Sequence, residues 1–275
     1  MSGNEDVRPP AVAGQFYPAD PLELSDMIRG FLRDVPGEAR SVPAAMVPHA
    51  GLVYSGACAA QVFGRLALPP VIVILAPNHT GAGVPGRAAI WGSGAFETPL
   101  GGVPIAEEFA RRLESSGDLV REHRAAHREE HAVEVELPFL QVLGPGTRIG
   151  PLLLAWDDWP RSSRLARDLA TLIAVWPDRV LLLASSDMTH YEPADAAARK
   201  DRVALAHLAH LDGEGLLHAC HEQHITMCGR APAATVVEAA RLLGATSGTV
   251  VDYRHSGLVS GDDRRVVAYA GLLTA

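Results

Sequence analysis

The chain has 275 residues, 48% hydrophobic but only 5% aromatic, with a formal charge of -8 and a pI near 5.8. That balance supplies no basic stripe to hold a phosphate backbone, so nucleic acid is excluded as a bulk-electrostatic partner. No apolar run approaches the roughly 18 residues that span a bilayer, and MSGNEDVRPP lacks a basic-then-apolar leader pattern, so a cytoplasmic chain with no membrane partner is expected.

Taken in order, the hydrophobic spacing predicts a helix over 22–32, a strand over 44–47, a helix over 56–66 and strands over 71–75 and 88–91. A helix over 105–113 follows, then a helical stretch from Glu134, a strand over 149–155, a helix over 164–175 and a strand over 180–184. Helices over 195–211 and 232–243 precede strands over 249–253 and 266–272. Several of the strand runs are continuously apolar, which fits strands covered on both faces. The alternation predicts a three-layer α/β/α sandwich. No linker or repeat divides it, so one domain over 1–275 is expected.

In open sheets of this kind, ligands sit beyond the carboxyl ends of the strands. Three predicted strands end alike, in a polar loop bearing histidine: AAMVPHAGLVYSG with His49, VIVILAPNHTG with His79, and VLLLASSDMTHY with Asp187 and His190. Each histidine alone is ordinarily a structural one. Three at equivalent positions point to imidazole converging on one rim, and imidazole suits Zn, Cu, Fe or Ni. Cys58, Cys220 and Cys228 form no C-x-x-C pair, so they are expected as free thiols. Cys228 precedes a helix start containing Arg230 and Pro232, where helix-end amides and a nearby arginine favour thiolate.

The ordered set VRPPAVAGQFYP, MVPHAGLVYSG, LAPNHTG, ETPLGG, EEHAVEVELPFLQ, SSDMTHY and MCGRAP resembles the Memo family. The bacterial and archaeal members of that family are called AmmeMemoRadiSam system protein B. The resemblance implies a fold like that of the class III extradiol ring-cleaving dioxygenases. It implies one transition-metal ion, Cu or Fe with Zn as the alternative, on His49, His79 and Cys228. By the same resemblance His190 is the acid/base, oriented by Asp187, with His131 and Glu134 lining the pocket and Arg230 and Tyr54 beside it. Thiolate in place of a carboxylate ligand favours Cu(I) or Zn. Ala231 stands where the family has a histidine after C-G-R. The resemblance implies two functions, a metal-dependent redox enzyme acting on a small molecule and a binder of phosphorylated peptides. It also implies an association with radical SAM and AMMECR1-like proteins.

Three rival readings compete for the histidines. His127, Glu130 and His131 satisfy H-x-x-E-H, the inverted zinc-peptidase pattern, although Pro138 follows closely. His123, His127 and His131 would share one face of a continuous helix. His218, Cys220, His221 and His224 lack the spacing of a structural zinc site. His207 and His210 are expected on a helix surface, and His255 at the rim. No glycine run fits a nucleotide loop.

Overall fold

The computed structural model describes residues 6–275, so the leader reading falls, at positions 1–5, outside the described residues. The chain enters through β1 (Val7–Arg8), α1 (Pro21–Leu32), β2 (Ala44–Val47), α2 (Leu52–Phe63) and β3 (Val71–Pro77). Asp20 starts α1 by accepting the Leu22 and Glu23 N–H groups, with Pro21 in the first turn. Next come β4 (Ala88–Ile90), the hairpin of β5 (Ala95–Thr98) and β6 (Gly101–Pro104), α3 (Glu107–Ser115), β7 (Val120–Glu122) and α4 (Arg124–Arg128). A 3-10 turn, Glu134–Glu136, leads into α5 (Leu137–Leu143), β8 (Arg148–Leu154), α6 (Trp159–Ala174), β9 (Val180–Ser185) and β10 (His190–Glu192). The chain closes with α7 (Ala194–Ala209), α8 (Gly213–Glu222), α9 (Arg230–Leu242), β11 (Gly248–His255), α10 (Gly257–Ser260) and β12 (Val266–Thr274).

The main sheet runs β10-β12-β2-β9-β3-β8-β4-β7, with β11 on the free side of β12. Its centre, β2-β9-β3-β8, is parallel, while β12 joins β2 and β4 joins β8 antiparallel. The continuously apolar strands are buried on both faces. In β3, Val71, Val73 and Leu75 pack into one core and Ile72, Ile74 and Ala76 into the other. Each Val, Leu or Ile side chain so removed from water is worth about 1.5–3 kcal/mol. Helices α3, α6, α7, α8 and α9 cover the first face, while α1, α2 and α5 with the β5–β6 hairpin cover the second. The result is the three-layer α/β/α arrangement. No helix among the described residues is long and apolar enough to cross a membrane.

The strand expectations hold, with no end moved by more than two residues. The β1–β5–β6 sheet and β7 were not expected, because they are short and half polar. Helix α2 begins four residues earlier than the spacing suggested, at Leu52, because Gly51 breaks from the loop directly into the first turn. The helical stretch from Glu134 opens as a 3-10 turn and becomes α-helical only at Leu137.

A candidate metal centre at the carboxyl rim of the sheet

The site is built where three neighbouring parallel strands stop. β2 ends at Val47, two residues before His49; β3 ends at Pro77, two before His79; β9 ends at Ser185, two before Asp187. His131 arrives from the loop between α4 and the turn at Glu134. Cys228 and Gly229 bring in the start of α9. A Cβ on Gly229 would lie 2.4 Å from Ser186 Cβ and 2.5 Å from the Ser185 carbonyl oxygen, so only glycine lets this segment close on the end of β9.

One ligand nitrogen from each of His49, His79 and His131 lies within 4.8 Å of the others. The rings are 5.4 Å apart for His49–His79 and His49–His131, and 4.8 Å for the stacked pair His79–His131. Two of the rings have Nδ1 hydrogen-bonded from behind, and the third has a carboxylate nearby. His49 Nδ1 lies 2.7 Å from Ser185 Oγ, and His79 Nδ1 lies 2.9 Å from Glu130 Oε1. His131 Nδ1 is 3.4 Å from the same Glu130 oxygen. Partners of this kind orient metal-binding histidines and leave Nε2 as the donor atom. Three imidazoles so arranged fit a transition-metal ion.

Two of these supports differ in charge. Burial pulls the His79 pKa down, but the Glu130 hydrogen bond and charge outweigh it, and the sum lies above the usual value. Burial raises Glu130, yet its contacts with His79, the Ala132 N–H and His131 bring it below the usual carboxylate range. Both shifts describe an ionised Glu130. Glu130 also accepts the His79 N–H at 2.6 Å, fixing backbone and ring together.

Behind His49 stands a neutral group. Ser185 Oγ lies 2.7 Å from the Ala132 carbonyl oxygen and 2.9 Å from Glu136 Oε1, besides its contact with His49. A carbonyl can only accept, so the single hydroxyl proton points at Ala132, and both His49 Nδ1 and Glu136 then donate to Ser185. That requires a protonated Glu136. The residue is fully buried, and its Oε2 has no hydrogen-bond partner among the described residues. Burial, with the charge of Asp187, holds its pKa well above the ordinary value despite the Ser185 contact. His49 is kept neutral by burial and by the neighbouring imidazoles of His131, His79 and His190.

Cys228 Sγ lies 3.3 Å from His49 Nε2 and accepts the Asp187 N–H at 3.3 Å, but it stands outside the three-histidine triangle. The expected bias toward thiolate is corrected. Burial and the charge of Asp187 push the thiol pKa up, and they outweigh the contacts with the Asp187 and Gly229 N–H groups and Ser186. Arg230 does not help, because its guanidinium is committed to Asp157 at 2.6 Å. Without an ion, Cys228 is a thiol.

Other expected residues take different places. Asp187 does not orient His190; its Oδ1 accepts the N–H groups of His49 and Ala50 at 2.9 and 3.2 Å, holding the His49 loop. Burial lifts its pKa to about 7, against the lowering effect of those two bonds. His190 is oriented by Thr226, whose carbonyl accepts from Nδ1 at 3.0 Å and whose hydroxyl accepts the His190 N–H at 2.7 Å. Glu134 faces away from the pocket into a buried cluster with Arg8, Tyr17 and the N–H groups of Ala11 and Val12. Arg8 also donates to the carbonyls of His127 and Glu130 at 2.7 Å each, anchoring the loop that carries His131. Tyr54 is 39% exposed on α2 and does not line the cavity beside His79. Ala231 is buried in the core at the start of α9.

The zinc-peptidase pattern separates. Helix α4 stops at Arg128, so His123, His127 and His131 form no common face. His127 turns into the core, edge-on to Trp91 and Phe96, with Nε2 3.1 Å from the Ala89 carbonyl, while His131 faces the metal triangle. His207 pairs with Asp212, His218 with Glu222 and His255 with Asp263, and His210 bonds the Ala206 carbonyl. Cys220 is buried, and His221 and His224 are exposed. Sequence reasoning missed Ser185 and Glu136 and gave Glu130 only to the rival motif. The cue available was position: Ser185 ends a strand, while Glu130 and Glu136 flank His131.

A cavity of about 660 Å³ opens from His79 and Cys228 past Pro77, Ala89, Leu154 and Trp156 to Arg87, Asp157 and Arg230.

The relatives are consistent along the whole chain. The family model described as Memo-like protein matches residues 8–273. A MEMO1 family protein of Methanopyrus kandleri is 38% identical over 97% of this chain and 98% of its own. One from Aquifex aeolicus is 39% identical over 97% and 98%, and one from Sulfolobus acidocaldarius 37% over 96% and 97%. An uncharacterized protein from Escherichia coli K12 shares the fold at TM-score 0.50 and 16% identity, over 84% of this chain and 99% of that one. The match to the family model and to these full-length relatives identifies the chain as a member of the Memo family.

Proposed function

We propose that this protein is a metal-dependent oxidoreductase that acts on a small molecule in the cavity beside His79. One observation carries the reading: three imidazoles converge, with the Nδ1 atoms of His49 and His79 hydrogen-bonded from behind. In it, His49 and His79 hold one transition-metal ion, Cys228 joins them as thiolate once the ion is bound, and His131 completes the nitrogen triangle. Such an ion supplies a Lewis-acid centre and, as Cu or Fe, one-electron chemistry.

The chain's own residues prepare that site. Glu130 and Ser185 fix ring direction, Asp187 holds the His49 loop, and Gly229 lets Cys228 approach. His190, bound through Nδ1, keeps Nε2 for proton exchange with a substrate. Metal analysis of anaerobically purified protein tests the ligand set. Cys228→Ala and His131→Ala should each weaken retention, and His49→Ala should abolish it; full retention in His49→Ala would refute the site.

A second reading, a binding module for an anionic ligand or peptide, draws on the arginines of the same cavity. Binding of a phosphopeptide that survives chelation but is lost in His49→Ala and His190→Ala would favour it. The association with radical SAM and AMMECR1-like proteins belongs to this proposal as a place in a multi-component pathway.

A further inference from the structure

We infer that Arg87 is the anion anchor of the cavity, so that the substrate is a small molecule with an apolar body and one carboxylate or phosphate group. The inference deepens the proposed function and rests on it for the identity of the reacting end of the cavity.

Arg87 lines the metal-side cavity and also an adjoining one of about 340 Å³, whose walls include Asp118, Arg161 and Arg164. Four guanidinium groups therefore border this region, with Arg230, and three have a dedicated carboxylate. Arg230 pairs with Asp157 and Arg164 with Asp118, each at 2.6 Å, and Arg161 pairs with Asp158. Among the described residues no carboxylate lies within ion-pair distance of Arg87, and its guanidinium makes no hydrogen bond there. Arg87 is thus the one of the four without an ion pair, although its charge reaches Asp118, the partner of Arg164. A planar guanidinium matches carboxylate and phosphate oxygens in a bidentate fork.

Much of the remaining lining is apolar. Pro77, Ala89, Leu154 and Trp156 line the same cavity as His79, Cys228 and Arg87. The Trp156 indole N–H is bound to Ser162 Oγ at 3.2 Å, so the ring is fixed by that bond. A ligand that satisfies both kinds of lining offers its anion to Arg87, rests its body on these apolar side chains and directs its other end to His79 and Cys228. Pockets of this kind bind by apolar contact and use a few polar groups to orient.

The test uses full-length protein stripped of metal by a chelator, with benzoate, phenyl phosphate and neutral benzamide as probes, followed by NMR titration. The inference expects benzoate or phenyl phosphate, but not benzamide, to bind, with affinity falling at least tenfold in Arg87→Ala and largely kept in Arg87→Lys. Whichever anion binds more tightly assigns the group as carboxylate or phosphate. Arg161→Ala, which removes an arginine paired with Asp158, should change little. Benzamide binding as well as benzoate, or Arg87→Ala binding the anions like the unaltered protein, would overturn it. Because the probes are scored without metal, failure here leaves the metal reading standing. Loss of metal in ligand variants with anion binding intact gives the reverse case.

Discussion

His49 and His79 sit at equivalent strand ends, yet the chain supports them in opposite ways. His79 is partly exposed and backed by the ionised carboxylate of Glu130, which accepts from both its ring and its backbone. His49 is buried and backed by a neutral hydroxyl, itself held by the Ala132 carbonyl and the protonated Glu136. A carboxylate behind a histidine makes it a stronger ligand, but an ionised carboxylate beside fully buried His49 would lack any countercharge. Glu130 is buried too, and its charge is balanced by His79 and the Ala132 N–H, while the His79 ring in front of it reaches solvent. Depth in the sheet decides which kind of partner a ligand receives.

The largest expected effect comes from removing the charged support. Glu130→Ala should cost about 10–100-fold in metal affinity, the usual range for such partners, read by competitive chelator titration. The neutral support gives a sharper contrast. Glu136→Gln keeps a donor toward Ser185 and should leave metal affinity within about twofold, whereas Glu136→Leu should weaken it about tenfold. Equal losses in both variants would mean that Glu136 acts as a carboxylate. Infrared difference spectra of the unaltered protein against Glu136→Gln should lose the band of a protonated carboxyl at neutral pH.

A smaller effect separates His127 from His131. Burial holds the His127 pKa down to about 3, so the folded state keeps it neutral while the unfolded chain protonates near 6.5. Its contribution is present above about pH 6.5 and is lost as pH falls toward 3, at up to about 1.4 kcal/mol per pH unit. His127→Phe should flatten that acid slope in thermal unfolding and leave metal content unchanged. A drop in metal content would revive the H-x-x-E-H motif.

The sequence was readable where one periodicity served one role. Val71 to Leu75 announced a buried strand because both faces are covered, and His49 and His79 announced a site because each follows such a strand. The partners were not readable. Glu130, Glu134 and Glu136 look alike in EEHAVEVE, and only the fold sends one to His79, one to Arg8 and one to Ser185. Spacing likewise could not tell His127 from His131, because α4 ends between them. Cys228 was found by its place before a helix, but its protonation depends on burial, which no local pattern encodes.

The most direct measurement is metal stoichiometry in anaerobically purified protein alongside His79→Ala and His127→Ala, each checked for folding by circular dichroism. One ion per chain in the unaltered protein and in His127→Ala, with none in His79→Ala, is the predicted result. Metal kept by His79→Ala and lost by His127→Ala would contradict a centre built at the strand ends.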